Sequence, residues 1–171
     1  MEWQDIYDEN RKKTGRLHCR GQQLQPGDYV LTVCVWVTDG AGRLLLTKRA
    51  AQKRVCPNTW ENSGGGAQQG ETSRQAVARE LREETGICLP EESFHFLESD
   101  RMENTFLDFY VAVHPERPGE IVLQPGETSD YRWVTWEEIH QLIAENQLAY
   151  PVARRFRLQE KRLAAYCGIR L

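Results

Sequence analysis

The sequence predicts the α/β class, with a mixed central sheet and three helices around it. Three observations carry this. Tyr29 to Thr38 (YVLTVCVWVT) is rich in β-branched and aromatic residues and nearly continuous in apolarity, as a strand covered on both faces should be. Strand-like runs recur at Ser93–Ser99 and Thr105–Val113. Stretches of helical period stand between and after them: Ser73 to Thr85, Trp136 to about Glu145, and Pro151 to Tyr166. With 171 residues and no internal repeat, low-complexity tract or interdomain linker, one domain over 1–171 with a single core is expected.

Residues 1–28 read as an N-terminal hairpin extension. Its strands are Trp3–Tyr7 and Arg16–Arg20, with turn chemistry at Asp8-Glu9-Asn10 and at Thr14-Gly15. Gln25-Pro26-Gly27-Asp28 turns into the long apolar strand, and Asp39-Gly40-Ala41-Gly42 folds that strand back onto Arg43–Lys48 as a hairpin. Arg49 to Asn58 is a basic loop. Gly64-Gly65-Gly66 lets the backbone pass close to something bulky or charged. Thr72 or Ser73 caps the helix that follows, and Gly86 closes it at C′. Projected at about 100° per residue, Val77, Leu81 and Ala78 form its packed side. Pro115 to Glu127, with Pro115, Pro118 and Pro125, is a loop, and Tyr131–Thr135 is a short strand. Thr135 caps the next helix, and Val152, Phe156, Leu163 and Ala164 of the last one face inward.

Bulk properties exclude several classes. A net charge of -3 gives no overall attraction to nucleic acid or to an anionic membrane. The first twenty residues are too charged for a secretory signal, and the most apolar run, Val30 to Val37, is far short of the roughly 20 residues of a spanning helix. Cys19, Cys34, Cys56, Cys88 and Cys167 are odd in number and form no CxxC pair, which points to reduced thiols in a cytoplasmic protein. His18, His95, His114 and His140 have no metal-ligand spacing. On the last helix Arg154, Arg155, Arg157, Lys161 and Arg162 are interspersed with glutamate and read as a solvated face rather than a nucleic-acid patch.

The chemistry concentrates in Gly65 to Ile87. Glu80, Glu83 and Glu84 stand at i, i+3 and i+4, so a helix brings three carboxylates onto one face. Like charges at this spacing destabilise a helix by about 0.2–0.5 kcal/mol per pair. A hard divalent cation reverses that penalty, because magnesium and calcium take carboxylate oxygens as ligands. The stretch follows one pattern throughout: Gly65, five residues, Glu71, seven residues, Arg79-Glu80-Leu81, one residue, Glu83-Glu84, one residue, Gly86-Ile87.

That pattern resembles the motif of the Nudix hydrolase superfamily, the MutT-like proteins, with the box at 64–87. The resemblance implies an α/β/α sandwich with a mixed central sheet and a catalytic loop–helix–loop. It implies one to three Mg2+ or Mn2+ ions, with Glu80 and Glu84 as core ligands, Glu83 completing the cluster and the Gly64 carbonyl as a further ligand. Glu71 and Arg79 are implied to support the loop by an ion pair, alongside Gly65 and Gly86. The implied reaction is hydrolysis of a pyrophosphate bond in a nucleoside diphosphate linked to another group X, by water attack on phosphorus. The general base is left open among Glu80 and Glu83 in the box, Glu127 just before the YRWVT strand, and Glu103.

Arg49, Lys53 and Arg54 are candidates to meet the substrate's phosphates, against a plain solvated loop. Trp60, Tyr29 and Phe109 are candidates to stack on a base, against a core role. The implied partner is a small-molecule diphosphate, with no nucleic acid and no membrane, and homodimers are common among such proteins. Asp5–Lys12 and the WENSGGG run resemble the branch nearest isopentenyl-diphosphate isomerase. That enzyme requires a cysteine and a histidine where this chain has Gly64-Gly65-Gly66-Ala67, so hydrolysis is favoured. A non-catalytic nucleotide-binding Nudix module is the other alternative; such modules lose box glutamates that this chain keeps.

Overall fold

The computed structural model describes residues 2–117 and 120–169. Its elements run β1 (Trp3–Tyr7), β2 (Lys13–Cys19), β3 (Val30–Thr38), β4 (Leu44–Arg49), β5 (Trp60–Glu61), β6 (Gly64–Gly66), α1 (Ser73–Thr85), β7 (His95–Met102), β8 (Thr105–Val113), β9 (Thr128–Val134), α2 (Trp136–Ala144) and α3 (Tyr150–Tyr166). No helix among the described residues is long and apolar enough to cross a membrane.

Alternation along β3 organises the layers. Leu31, Val33, Val35 and Val37 join one apolar cluster with Ala76, Val77 and Leu81 of α1, and with Phe106, Tyr110 and Ala112 of β8. Trp36 points the other way, into a second cluster with Leu44, Leu46, Ile139 of α2 and Phe156 of α3. The sheet is therefore covered on both faces, the expected α/β/α sandwich. It is mixed, since β3 runs parallel to β8 over its whole length and the other pairings are antiparallel.

One expectation about this sheet fails. β3 and β4 meet only at Thr38 and Leu44 and then diverge, so they are not a long hairpin. β4 instead pairs along its length with β9, which starts at Thr128 rather than Tyr131. The fork left between β3 and β4 is filled by Trp60 to Gly66: β5 pairs with β4, and β6 pairs with β3. Both arms of this short segment therefore have their backbone groups satisfied at the centre of the fold.

Smaller shifts have local causes. β2 begins at Lys13 because Asp8 closes the turn early: its carboxylate accepts from the Asn10 and Lys12 amides at 2.9 Å each, and its backbone bonds Lys12 and Arg11; Thr14-Gly15 thus falls within the strand. β7 starts at His95 because Glu91–Ser93 forms a 3-10 turn after Pro90. On α1, Ala76 is fully buried and Ala78 only partly so, which rotates the packed stripe toward Glu80. The loop over 115–127 has Pro115 and Pro125 in non-strand backbone, while Pro118 lies outside the described residues. Helix α2 begins at Trp136 behind Thr135, as read.

Because Leu81 is fully buried between α1 and β3, Leu81→Ala should destabilise the fold by about 2–5 kcal/mol. Urea denaturation followed by tryptophan fluorescence measures this.

Candidate active site

The carboxylate-bearing helix is fixed at both ends by its own sequence. Thr72 accepts from the Gln75 amide while the Gln75 side chain accepts from the Thr72 amide, a capping box. At the other end Gly86 adopts φ 76° and donates its N–H to the Arg82 carbonyl. Between these caps, Val77 and Leu81 hold the helix to the sheet and present Glu80 and Glu84 to the fork beside β5 and β6.

There the helix meets backbone with no side chain in the way. A Cβ on Gly65 would lie 2.4 Å from the Glu80 carboxyl, so only glycine allows this approach. Arg79 ties the assembly together. It donates to Glu71 at 2.8 and 3.0 Å, to the Gly66 carbonyl at 2.9 Å, to Glu80 at 2.9 Å and to Glu83 at 3.1 Å. Glu71 also accepts from the Gln68 amide at 2.7 Å, which closes the loop.

A polar cleft of about 260 Å³ opens here, and its walls include Gly64, Gly65, Glu80, Glu83 and Glu84. Arg49, Lys53 and Glu127 line the same cleft. The Ala50 amide donates to the Glu127 carbonyl at 2.9 Å, bringing the basic loop to the start of β9, and Lys53 pairs with the Glu127 carboxylate. Arg54, by contrast, is exposed and outside the cleft lining. Glu103 sits in the exposed turn between β7 and β8, also outside it. None of the three aromatic candidates is offered as a stacking platform. Trp60 is buried beneath the Arg132 guanidinium, 4.6 Å from its ring centre. Tyr29 packs on Phe106 at 5.0 Å, and Phe109 is 2% exposed.

Five further residues line the cleft that the pattern of the sequence did not single out: Glu2, Arg20, Glu61, Gln124 and Thr128. Glu61 accepts from Arg49 at 2.7 and 2.8 Å. Its signal was available in the WENSGGG run, three residues before Gly64. Arg20 arrives from the N-terminal hairpin, paired with Glu2 at 2.6 Å, and nothing local announced it.

Burial dominates the electrostatics. It pushes Glu61 above the usual carboxylate range despite Arg49, and Glu80 above it despite Arg79. Glu84 is raised furthest, by burial first and then by the charges of Glu61 and Glu80, with Ser63 and the Gly64 amide offsetting only part. Its Oε2 is closed to water and has no hydrogen-bond partner among the described residues.

Among the described residues no three Asp, Glu, His or Cys side chains converge as a ready-made ligand set. Arg79 accounts for this, since its Nη1 draws Glu80 and Glu83 toward itself. The donor set nevertheless fits a hard divalent cation. Glu84 offers a buried, unpartnered carboxylate oxygen next to two more carboxylates, which is oxygen-rich, negative and short of donors.

Known proteins share this fold and sequence pattern. The family model for the NUDIX domain matches residues 28–156. An uncharacterized Nudix hydrolase of Listeria monocytogenes is 37% identical over 143 residues, covering 83% of this chain and 85% of its own length. An isopentenyl-diphosphate Delta-isomerase of Mycolicibacterium vanbaalenii is 32% identical over 123 residues, 64% of each chain. A solved structure from Deinococcus radiodurans is similar in fold, with a TM-score of 0.75 at 23% identity over 91% of this chain and 98% of that one.

The raised Glu84 carboxyl, together with Glu61 and Glu80, shapes the pH behaviour of the metal-free protein. Its folded pKa lies above its unfolded value of about 4.3, so its contribution is fully present below that value and is lost as pH rises through the folded pKa. Thermal melts in chelator should show stability falling over that window. Glu84→Gln should flatten the fall and raise the melting temperature at neutral pH.

Proposed function

The chain is a Nudix hydrolase, and we propose that it cleaves the pyrophosphate bond of a nucleoside diphosphate linked to another group X, with Mg2+ or Mn2+ bound at Glu80, Glu84, Glu83 and the Gly64 carbonyl. The observation that supports this most is the unpartnered Glu84 oxygen in a carboxylate cluster, in one cleft with Arg49 and Lys53. Bound there, one to three divalent ions would neutralise the diphosphate and lower the pKa of an attacking water.

The chain's own residues supply the rest. Arg79 and Glu71 hold the helix and the loop in register, a supporting role to the ligands. Lys53 turns from Glu127 to a phosphoryl oxygen as substrate enters, which frees the Glu127 carboxylate. Arg49 adds positive charge on the same wall. Water attacks one phosphorus and the bridging oxygen leaves with the other phosphoryl group. Glu127, in the same cleft as the box carboxylates, takes the water's proton, leaving Glu80 and Glu83 to the ion. The free thiols at all five cysteines suit a reducing cytoplasm. We take the chain to work as one domain, with the N-terminal hairpin lending Arg20 to the cleft wall.

The similarity to an isopentenyl-diphosphate isomerase supports a second reading, double-bond isomerisation. The side chains that reaction needs are replaced by Gly64-Gly65-Gly66-Ala67, which weighs against it.

A panel of nucleoside-diphosphate-linked compounds with magnesium or manganese, with products identified by mass, tests the proposal. Glu80→Gln should abolish cleavage with the fold intact, and Glu127→Gln should lower kcat by about 10²–10⁴-fold. Arg79→Lys should weaken the ion's affinity by about 10–100-fold. Equal inactivity of wild type and Glu80→Gln across the panel would sink the hydrolase mechanism.

A further inference from the structure

Arg155 was grouped by sequence with the solvated cations of α3. The structure corrects this: it is partly buried, and its Nε is closed to water and lacks a partner among the described residues. It lines two cavities at once. One, of about 320 Å³, borders Glu61, Gly64 and Gly65 and has Thr32, Cys34 and Leu107 among its walls. The other, of about 380 Å³, lies between β7 and α3 and is walled in part by Met102 and Leu158. Arg155 therefore stands where a group leaving the carboxylate cleft along the α3 side of β3 would pass.

Its charge is the telling feature. The cations at the carboxylate cleft are engaged: Arg49 with Glu61, Lys53 with Glu127, and Arg20 with Glu2. Arg79, beside the cleft, is held by Glu71, Glu80 and Glu83. Arg155 has no carboxylate within salt-bridge distance among the described residues, and the nearby Glu61 already gives both oxygens to Arg49. Partly stripped of water, the Arg155 guanidinium feels only the unbonded charge of a Glu61 that Arg49 already holds, and its planar fork of donors matches an oxyanion.

We propose that Arg155 is a specificity-determining residue that receives an oxyanion, phosphate or carboxylate, carried on group X beyond the scissile diphosphate. This rests on the hydrolase reading, because the diphosphate must lie at the box carboxylates for X to reach α3.

Equilibrium titration of the full chain with magnesium, followed by tryptophan fluorescence, tests it. Two ligand pairs serve: pyrophosphate against tetrapolyphosphate for a phosphate, and UDP-glucose against UDP-glucuronate for a carboxylate. Wild type should prefer the oxyanion-bearing member of at least one pair by about tenfold or more. Arg155→Gln should remove that preference and leave pyrophosphate binding unchanged, while Arg157→Gln, on the exposed face of α3, should change nothing. The pair whose preference disappears identifies the oxyanion. Should Arg155→Gln fail to fold, Arg155→Lys decides, since keeping the charge without the fork must reduce the preference. Absence of any preference in wild type, or its survival in the variants, overturns the proposal alone. Failure of wild type to bind pyrophosphate overturns the hydrolase reading and this proposal with it.

Discussion

Glu84 carries an oxygen that neither water nor any described donor reaches, and the structure around it is arranged to keep it so. Keeping that carboxylate out of water opposes folding, because burying an ionised group costs several kcal/mol and Ser63 and the Gly64 amide offset only part of it. Glu61 and Glu80 add to the cost rather than relieving it. The helix bearing Glu84 must therefore be held by contacts away from the charge. The capping box at Thr72, the Gly86 closure and the fully buried Val77 and Leu81 do this. Stability here is spent on a local arrangement that makes sense only if something positive comes to it.

The fork between β3 and β4 gives that arrangement its place. A plain hairpin would have paired the two strands and left no gap. Because they part after Thr38 and Leu44, the Trp60–Gly66 segment can run between them, pairing with one and then the other. It sets Glu61 against Arg49 and brings bare glycine backbone under Glu80. The cations of the cleft are already paired, which keeps the carboxylates ordered before any ligand arrives. Under the proposed reaction such pairs would exchange partners with a phosphate, so the contacts that order the cleft would hand their charges to the substrate.

What was legible in the sequence was what is encoded locally. The bounds of α1 follow from Thr72, Gly86 and the period of Val77 and Leu81, and each is a signal within a few residues. The Glu71–Arg79 pair was implied by the resemblance rather than by any local signal, and it forms across eight positions. Long-range pairing was not. Nothing in Leu44–Arg49 says that its main partner is β9, some eighty residues on. Arg20 reaches the cleft only because a hairpin outside the matched family region folds over it. Arg54 and Lys53 are adjacent and chemically alike, yet only Lys53 turns inward, because Ala50 is tied to Glu127. On α3, composition made five cations look equivalent, and packing against the sheet singled out Arg155.

The relation to the isomerases shows how one fold carries two chemistries. A cysteine or histidine in the glycine run would start with a Cβ. At Gly64 that atom would meet the Val33 carbonyl at 2.3 Å, at Gly65 the Glu80 carboxyl at 2.4 Å, and at Gly66 the Gln4 side chain at 2.3 Å. The first is backbone and cannot yield without moving β3. The second could yield only by withdrawing Glu80 from its place beside Glu84. The glycines are thus more than an absence of isomerase side chains. They are what permits the carboxylate cluster to close against backbone.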